Sequence, residues 1–321
     1  MPAAQVMTVA GPLPAEELGA TDAHEHLFLR SPALPGDELE DEERAVEEAR
    51  DGADTGLRSL IELTPIGCGR RPDLLRAVSR ATGLAIVAAS GYHRDAHYPA
   101  DHWVHAASLE TLTERTVTDL RDGMHPADWD DPALALDPAR AGVIKAGASH
   151  EQVTDSEHRR LLAAVEASRQ TGAAVVVHTE AGTFGPQIVG LLLGAGLPAE
   201  RLTLAHLDRN PDPALHADIC SAGVSLVYDT IGRDKYGPDS ERVELIARMV
   251  DGGHAERLML GLDLGRRGYF RAYGGGPGLR HLLGDFVPRL RERIGAQAVE
   301  TMLVRNPARA FALAPVRESV A

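Results

Sequence analysis

Lysine is almost absent. Of 33 basic residues only Lys145 and Lys235 are lysines, so arginine is the default cation of this chain. A position that keeps lysine calls for something a guanidinium cannot do, such as lose its proton or be chemically modified. Cysteine is as scarce: Cys68 and Cys220 stand in unlike contexts, without a C-x-x-C pair, which excludes a disulfide framework and reads as two reduced thiols in a cytoplasmic protein. No stretch reaches the ~18 uninterrupted apolar residues of a membrane span, and residues 1–20 lack the basic segment and apolar run of a secretory signal. Positive charge is in deficit overall. With 47 acidic residues against 33 basic ones the net charge is −14. That argues against nucleic acid or an anionic membrane as partner, since both need a basic face; the excess acid reads as solubility.

What the chain does have is a repeated alternation. Aliphatic runs at 57–63, 84–90, 142–146, 173–179, 202–207, 224–229 and 258–263, with the stretch leading into "DAHEH", make eight expected strands. Between them lie helical patterns such as "TDSEHRRLLAAVEASRQTG" (154–172), several opened by Ser, Thr or Asp and closed by glycine. Strands alternating with helices give a parallel sheet, and eight such units in 321 residues fit an α/β fold, the (β/α)8 TIM barrel. A doubly wound open sheet competes, but no G-x-G-x-x-G follows the first strand and no low-complexity linker divides the chain. The expectation is one barrel domain spanning 1–321.

A barrel gathers its functional groups at the C-terminal ends of its strands. Those ends carry, in order, His24 and His26, then Lys145, His178, His206 and Asp263. In "HEH" the two imidazoles stand at i and i+2, on one face of a strand, so both reach one ion. Singly, His178 or His206 is more often a hydrogen-bonded core histidine, and Asp263 a cap of the next helix. Falling together where a barrel places its chemistry, they outweigh those separate readings. His93, His97, His102 and His105 lie instead in a segment rich in Asp, Pro and Tyr, expected to be lid or surface. An ammonium at Lys145 would be repelled by a metal beside it. Two roles remain: a Schiff-base nucleophile of lowered pKa, or a carbamate formed with carbon dioxide, which is an anionic ligand.

The order H-x-H, strand-four Lys, strand-five His, strand-six His and strand-eight Asp is carried by "DAHEHLF", "AGVIKAG", "VVVHTEAGT", "AHLDRNPD", "YDTIGRDKYGPDS", "GLDLGRR" and "VRNPARAF". It resembles the phosphotriesterase-like family of the amidohydrolase superfamily. The resemblance implies a hydrolase with two divalent ions, zinc first, with manganese or cobalt as alternatives. It implies His24, His26 and Asp263 on the buried ion and His178 and His206 on the more exposed one. Lys145, carboxylated on its amine, would bridge both together with a hydroxide. Asp263 is then the catalytic residue, taking a proton at the centre and delivering it to the leaving alkoxide. In the organophosphate hydrolases of the family a histidine follows the strand-seven aspartate. Here Thr230 follows Asp229, so organophosphate cleavage is not the expected native activity.

The second lysine points toward the substrate. Lys235 follows strand seven, and residues 264–280, after strand eight, hold four arginines and no acid. These loops form the usual phosphate site of a barrel, and "GGGPG" reads as the start of a short helix whose free N–H groups favour an anion. "DKYGPDS" and "GRRGYFRAYGGGPG" resemble the branch that opens phosphorylated sugar lactones. That implies Lys235, Arg266 and Tyr269 as a phosphate clamp, and Tyr92 is expected to line the pocket. The expected activity is hydrolysis of a lactone ester on a small phosphorylated substrate, by attack of a metal-bridging hydroxide. A phosphotriesterase, carboxylesterase or acyl-homoserine lactonase with the same centre is the nearest alternative, and a Schiff-base aldolase or a non-catalytic scaffold the remoter ones. A homodimer is the default assembly.

Overall fold

The computed structural model describes residues 4–315. Among them eight parallel strands form one sheet in chain order: β1 (Thr21–Glu25), β2 (Ser59–Glu62), β3 (Ala85–Gly91), β4 (Val143–Ala148), β5 (Ala174–Thr179), β6 (Leu202–Ala205), β7 (Ser225–Tyr228) and β8 (Leu258–Leu260). The sheet curls until the end of the last strand meets the first, where the Asp263 N–H donates to the His24 carbonyl at 2.9 Å. Buried carboxyl groups fasten the same seam. Asp22 Oδ1 accepts from the His24 and Leu262 N–H groups (3.1 and 3.3 Å), and Glu25 Oε1 from those of His26 and Leu264 (2.8 Å each). The two acids of "DAHEH" thus hold the barrel shut, and the architecture is the expected (β/α)8 TIM barrel.

Helices α1 (Glu42–Asp54), α2 (Pro72–Thr82), α3 (Leu109–Arg121), α4 (Asp155–Thr171), α5 (Gly185–Gly194), α6 (Pro213–Ser221), α7 (Asp239–Asp251) and α8 (Val287–Ile294) follow the strands in turn. In α4 the local signals act as their chemistry dictates: Thr154 and Glu157 form a reciprocal capping box, and Gly172 ends the helix with φ 77. Alternation along the strands makes two cores. Leu60, Ile86, Ile144, Val175 and Leu204 belong to the cluster shared with the helices, while Ile61, Val87, Val143, Val176, Val227 and Met259 fill the barrel. Val6, Leu18 and Phe311 join that inner cluster. They come from an antiparallel hairpin (Gln5–Thr8 with Gly11–Pro14), the turn after it and the helix Asn306–Phe311, which together plug the N-terminal end. The opposite end is left for polar groups. No helix among the described residues is long and apolar enough to cross a membrane.

Candidate active site

The inner face of each strand changes character along its length. On β4 Val143 faces the barrel core and Lys145, two residues on, shares its face; on β5 Ala174 and Val176 lead to His178. On β1 Ala23 belongs to the inner core, so strict alternation would turn His24 and His26 outward. A bulge corrects this: three steps from Asp22 to Glu25 match two from Leu60 to Glu62 on β2. His206 and Asp263 lie just beyond β6 and β8 in left-handed backbone, with φ 68 and φ 51. For a residue other than glycine this costs on the order of 1–3 kcal/mol and persists where surrounding contacts enforce it.

These six residues line one open cavity at the mouth of the barrel. Each imidazole donates outward through one nitrogen. His24 Nδ1 and His206 Nδ1 donate to the two oxygens of Asp229 at 2.7 Å, His178 Nε2 to Glu180 Oε2 at 2.8 Å, and His26 Nδ1 to Thr64 Oγ1 at 2.8 Å. Thr64 is the acceptor there because its own hydroxyl donates to Glu62 Oε1 at 2.7 Å. A neutral imidazole that donates through one nitrogen keeps a lone pair on the other. Four lone pairs, on His24 Nε2, His26 Nε2, His178 Nδ1 and His206 Nε2, therefore point inward. Two of them meet head on, His206 Nε2 and His178 Nδ1 at 2.8 Å, and His26 Nε2 faces Asp263 Oδ1 at 3.2 Å.

Such contacts repel unless positive charge lies between them, and protons do not supply it. Burial pushes His24 down to about 3, with the Lys145 amine adding to the effect, and His206 down to about 4; His26 and His178 are lowered for the same reason. Imidazole nitrogens and carboxylate oxygens of this kind suit divalent cations, and ligand atoms of His24, His26 and Asp263 lie within 4.8 Å of one another. His24, His206 and Asp229 also cluster this closely, but both Asp229 oxygens are taken by Nδ1–H donors, so Asp229 orients the two rings. Burial alone would raise its carboxyl, and the flanking His206 and His24 outweigh that and hold it well below the usual range. Asp263 is likewise held down against burial, chiefly by Arg233, whose Nη1 donates to Oδ2 at 2.9 Å; Arg209 Nη2 adds a second bond at 3.3 Å. Lys145 is 1% exposed, with Nζ 3.1 Å from His24 Nε2. Burial lowers its amine to about 8.

Lys235, Arg266 and Tyr269 line the same cavity. Lys235 Nζ sits over the rings of Tyr236 and Tyr269, 4.6 and 5.5 Å from their centroids, without a carboxylate partner among the described residues. Arg266 pairs with Asp37 at 2.7 Å. Three expectations are corrected. Tyr92 does not line the pocket: it is buried in the wall, its hydroxyl donating to the Leu112 carbonyl at 3.0 Å and its ring packed edge-on to Trp103. His93 and His97 are not surface residues. They are 5% and 8% exposed, stack ring on ring at 3.6 Å and line the cavity, with His93 4.7 Å from the His178 ring; His102 and His105 stay outside it. The loop after β3 folds inward because Gly147 makes room, since a Cβ there would come within 2.7 Å of Arg94 N and 3.2 Å of His93 Nδ1. Asp95 holds its other side, accepting from the Thr154 hydroxyl at 2.6 Å and pairing with Arg160.

The third correction concerns "GGGPG", which stays out of the cavity. The anion beside it is internal: Glu48 accepts the Ala272 and Leu279 N–H groups at 2.8 Å each. Asp229, Thr64, Glu62, Arg209, Arg233 and the Arg94–Glu180 pair were not anticipated as parts of the site. For four of them the signal lay in motifs already conspicuous for other reasons: Glu180 in "VVVHTEAGT", Arg209 in "AHLDRNPD", and Asp229 and Arg233 in "YDTIGRDKYGPDS".

A sequence model of the Phosphotriesterase family matches residues 4–311. The chain belongs to the phosphotriesterase family. One relative is the phospho-furanose lactonase of Mycoplasmopsis synoviae, 29% identical over 95% of this chain and 91% of that protein. Among solved structures, a lactonase from Listeria monocytogenes superposes with a TM-score of 0.89 at 28% identity, covering 97% of this chain and all of the other (100%). The phosphotriesterase homology protein of Escherichia coli, solved with phosphate in its active site, superposes with 0.83 at 30% identity over 92% of this chain and 99% of that one. As a phosphotriesterase-family member with lactonase relatives, this protein is an ester-hydrolysing enzyme acting on a small molecule. The family uses a binuclear metal centre, and the His and Asp groups described above are the donors this chain offers for one.

Proposed function

We propose that the enzyme opens the lactone ring of a phosphorylated sugar, with two divalent cations, zinc foremost, at the mouth of the barrel. His24, His26 and Asp263 would hold one ion and His178 and His206 the other, and Lys145, carboxylated on Nζ, would be a ligand to both. The inward-facing lone pairs support this assignment. When bound, the ions supply Lewis acidity, making water nucleophilic at neutral pH and drawing charge from an ester carbonyl.

The chain's own groups do the rest. The Asp263 carboxylate, ionised and bonded to Arg233 and Arg209, takes the proton that the attacking water loses and passes it to the ring oxygen as the ester C–O bond breaks. Asp229, Thr64 and Glu180 fix the ring tautomers. The cavity carries Lys235, Arg266 and Tyr269 to seat the phosphate. Two buried thiols, Cys68 and Cys220, are in keeping with a cytoplasmic enzyme.

The observation that carries the phosphate is Lys235, the second of two lysines in the chain, without a carboxylate partner among the described residues and facing the same cavity as the centre. A neutral ester gives such a cation nothing to bind. The names of two relatives support the reading, one for a phosphorylated furanose lactone and one for phosphate in the active site. The test compares kcat/KM on a sugar lactone with and without its phosphate. Lys235→Ala is expected to lower it roughly 10- to 100-fold on the phosphorylated substrate and to leave the other nearly unchanged. Indifference to the phosphate returns the reading to a neutral ester, an organophosphate or an acyl-homoserine lactone. Full activity after chelation, with an adduct trapped on Lys145 by borohydride, makes it an aldolase.

A further inference from the structure

We propose that His93 recognises the hydroxyl on the carbon next to the lactone carbonyl, donating a hydrogen bond to it through Nε2. The inference rests on the lactone reading above and adds to it the group that reads the far end of the substrate.

His93 Nδ1 accepts the Arg94 N–H at 2.8 Å, so the neutral ring carries its hydrogen on Nε2. That Nε2 has no partner among the described residues, although the ring is 5% exposed and lines the cavity. The ring is buried except where it opens on the cavity, so a ligand that displaces water from Nε2 has to supply an acceptor in its place. The ring cannot turn aside to find one. It is stacked on His97, its backbone N–H donates to Tyr98 Oη at 2.7 Å, and Gly147 lets it lie directly on the end of β4. The result is a donor fixed in direction before any ligand arrives.

Its place decides what it meets. β3 stands four strands from β7 in the ring of eight, so the loop carrying His93 faces Lys235 across the mouth, with the centre between them. A substrate whose phosphate rests on Lys235, and whose carbonyl sits beside His178 and His206, extends its remaining edge toward the loop after β3. The carbonyl oxygen is turned to the centre, so the neighbouring carbon and its hydroxyl lie beside His93, which is in contact with His178. A substrate without an acceptor there covers Nε2 and leaves it unpaired, and a donor stranded in this way is how a site rejects a near-isostere.

The experiment uses the metal-loaded enzyme, a phosphorylated sugar lactone and its analogue lacking that hydroxyl, with wild type, His93→Phe and His93→Gln. Wild type is expected to prefer the hydroxylated lactone by about tenfold in kcat/KM. His93→Phe, which keeps a ring but not the donor, loses the preference, and His93→Gln, whose amide reaches the Nε2 position, recovers most of it. Calorimetric binding of the two ring-opened acids gives the same ranking without turnover. If the phenylalanine variant does not fold, wild type and the glutamine variant still decide, because equal treatment of the two lactones by wild type overturns the inference. A preference that survives in a folded His93→Phe, with turnover still dependent on phosphate, overturns it alone; failure to turn over any lactone overturns the lactone reading and this assignment together.

Discussion

Asp229 shows how a residue that touches no substrate can set the chemistry of those that do. Its two oxygens each take an Nδ1–H, from His24 and His206, and so aim two lone pairs inward. In Asp229→Asn one oxygen becomes an NH2 group, which meets an N–H and forces that imidazole into the other tautomer. Metal affinity is expected to fall about 10- to 100-fold, read from metal retained against graded chelator by a variant that melts normally. Lys145 acts through its free base. Its amine is lowered to about 8 from 10.5 by burial, and only the unprotonated form reacts with carbon dioxide. At fixed dissolved carbon dioxide, activation of metal-free enzyme should quicken as pH rises toward about 8 and level off above it, while Lys145→Arg is not activated at any pH. A rate independent of pH across that range rules the carbamate out. The convergence of Lys145, His178, His206 and Asp263 was legible because each ends a short aliphatic run, and such runs are strands whose ends meet; His24 and His26 were legible from their H-x-H spacing instead. His93 and His97 were not, because a loop rich in Asp, Pro and Tyr has the composition of surface. What turns it inward is Gly147 on β4 and Thr154 and Arg160 on the next helix, contacts that local composition does not encode.

Among the elements, the strands were more legible than the helices between them. All eight strand runs appear as strands, since a parallel strand buried on both faces is continuous aliphatic sequence. α2 is harder to see: it begins at Pro72 after Arg71, which makes no side-chain cap, and so lacks the Ser, Thr or Asp that marks α1, α3 and α4. The bulge in β1 left no mark beyond "DAHEH" itself. The loop after β8 was misread in a more instructive way. Its glycines do stand beside an anion, but the anion is Glu48 from α1, which ties Ala272 and Leu279 and so fixes the segment that follows Arg266 and Tyr269. Glu48→Ala leaves two N–H groups without an acceptor and is expected to cost about 1–3 kcal/mol of stability, seen as a lower denaturant midpoint at unchanged slope. Glu48→Gln keeps one acceptor oxygen and should lose less. Equal stability of the alanine variant and wild type would mean that water replaces the carboxylate at no cost.

On the scale of the whole molecule, a net charge of −14 sits oddly with an anionic substrate until distance is considered. Arg94, Arg209, Arg233, Lys235 and Arg266 line the cavity against Glu180 and Asp263, and charges more than ~8 Å apart are largely screened at physiological salt. The local excess of cations therefore governs what enters. The same cavity links metal to folding. The lone pairs of His26, His178 and His206 and the Asp263 carboxylate are opposed in the folded chain and free to separate in the unfolded one, so ions that bind only the folded form add RT ln(1 + [L]/Kd), about 4 kcal/mol at a thousandfold excess over Kd. At ~2–4 °C per kcal/mol for a chain somewhat smaller than this one, chelation should lower the melting midpoint by on the order of 10 °C. Divalent metal with bicarbonate should restore it fully and metal in bicarbonate-free buffer only in part. Lys145→Arg should melt alike with and without chelator, because a fixed guanidinium at that position competes with the ions instead of holding them. If the native chain also melts alike, its imidazoles are satisfied without ions, and the tautomers that the outward hydrogen bonds impose are not the ones it adopts.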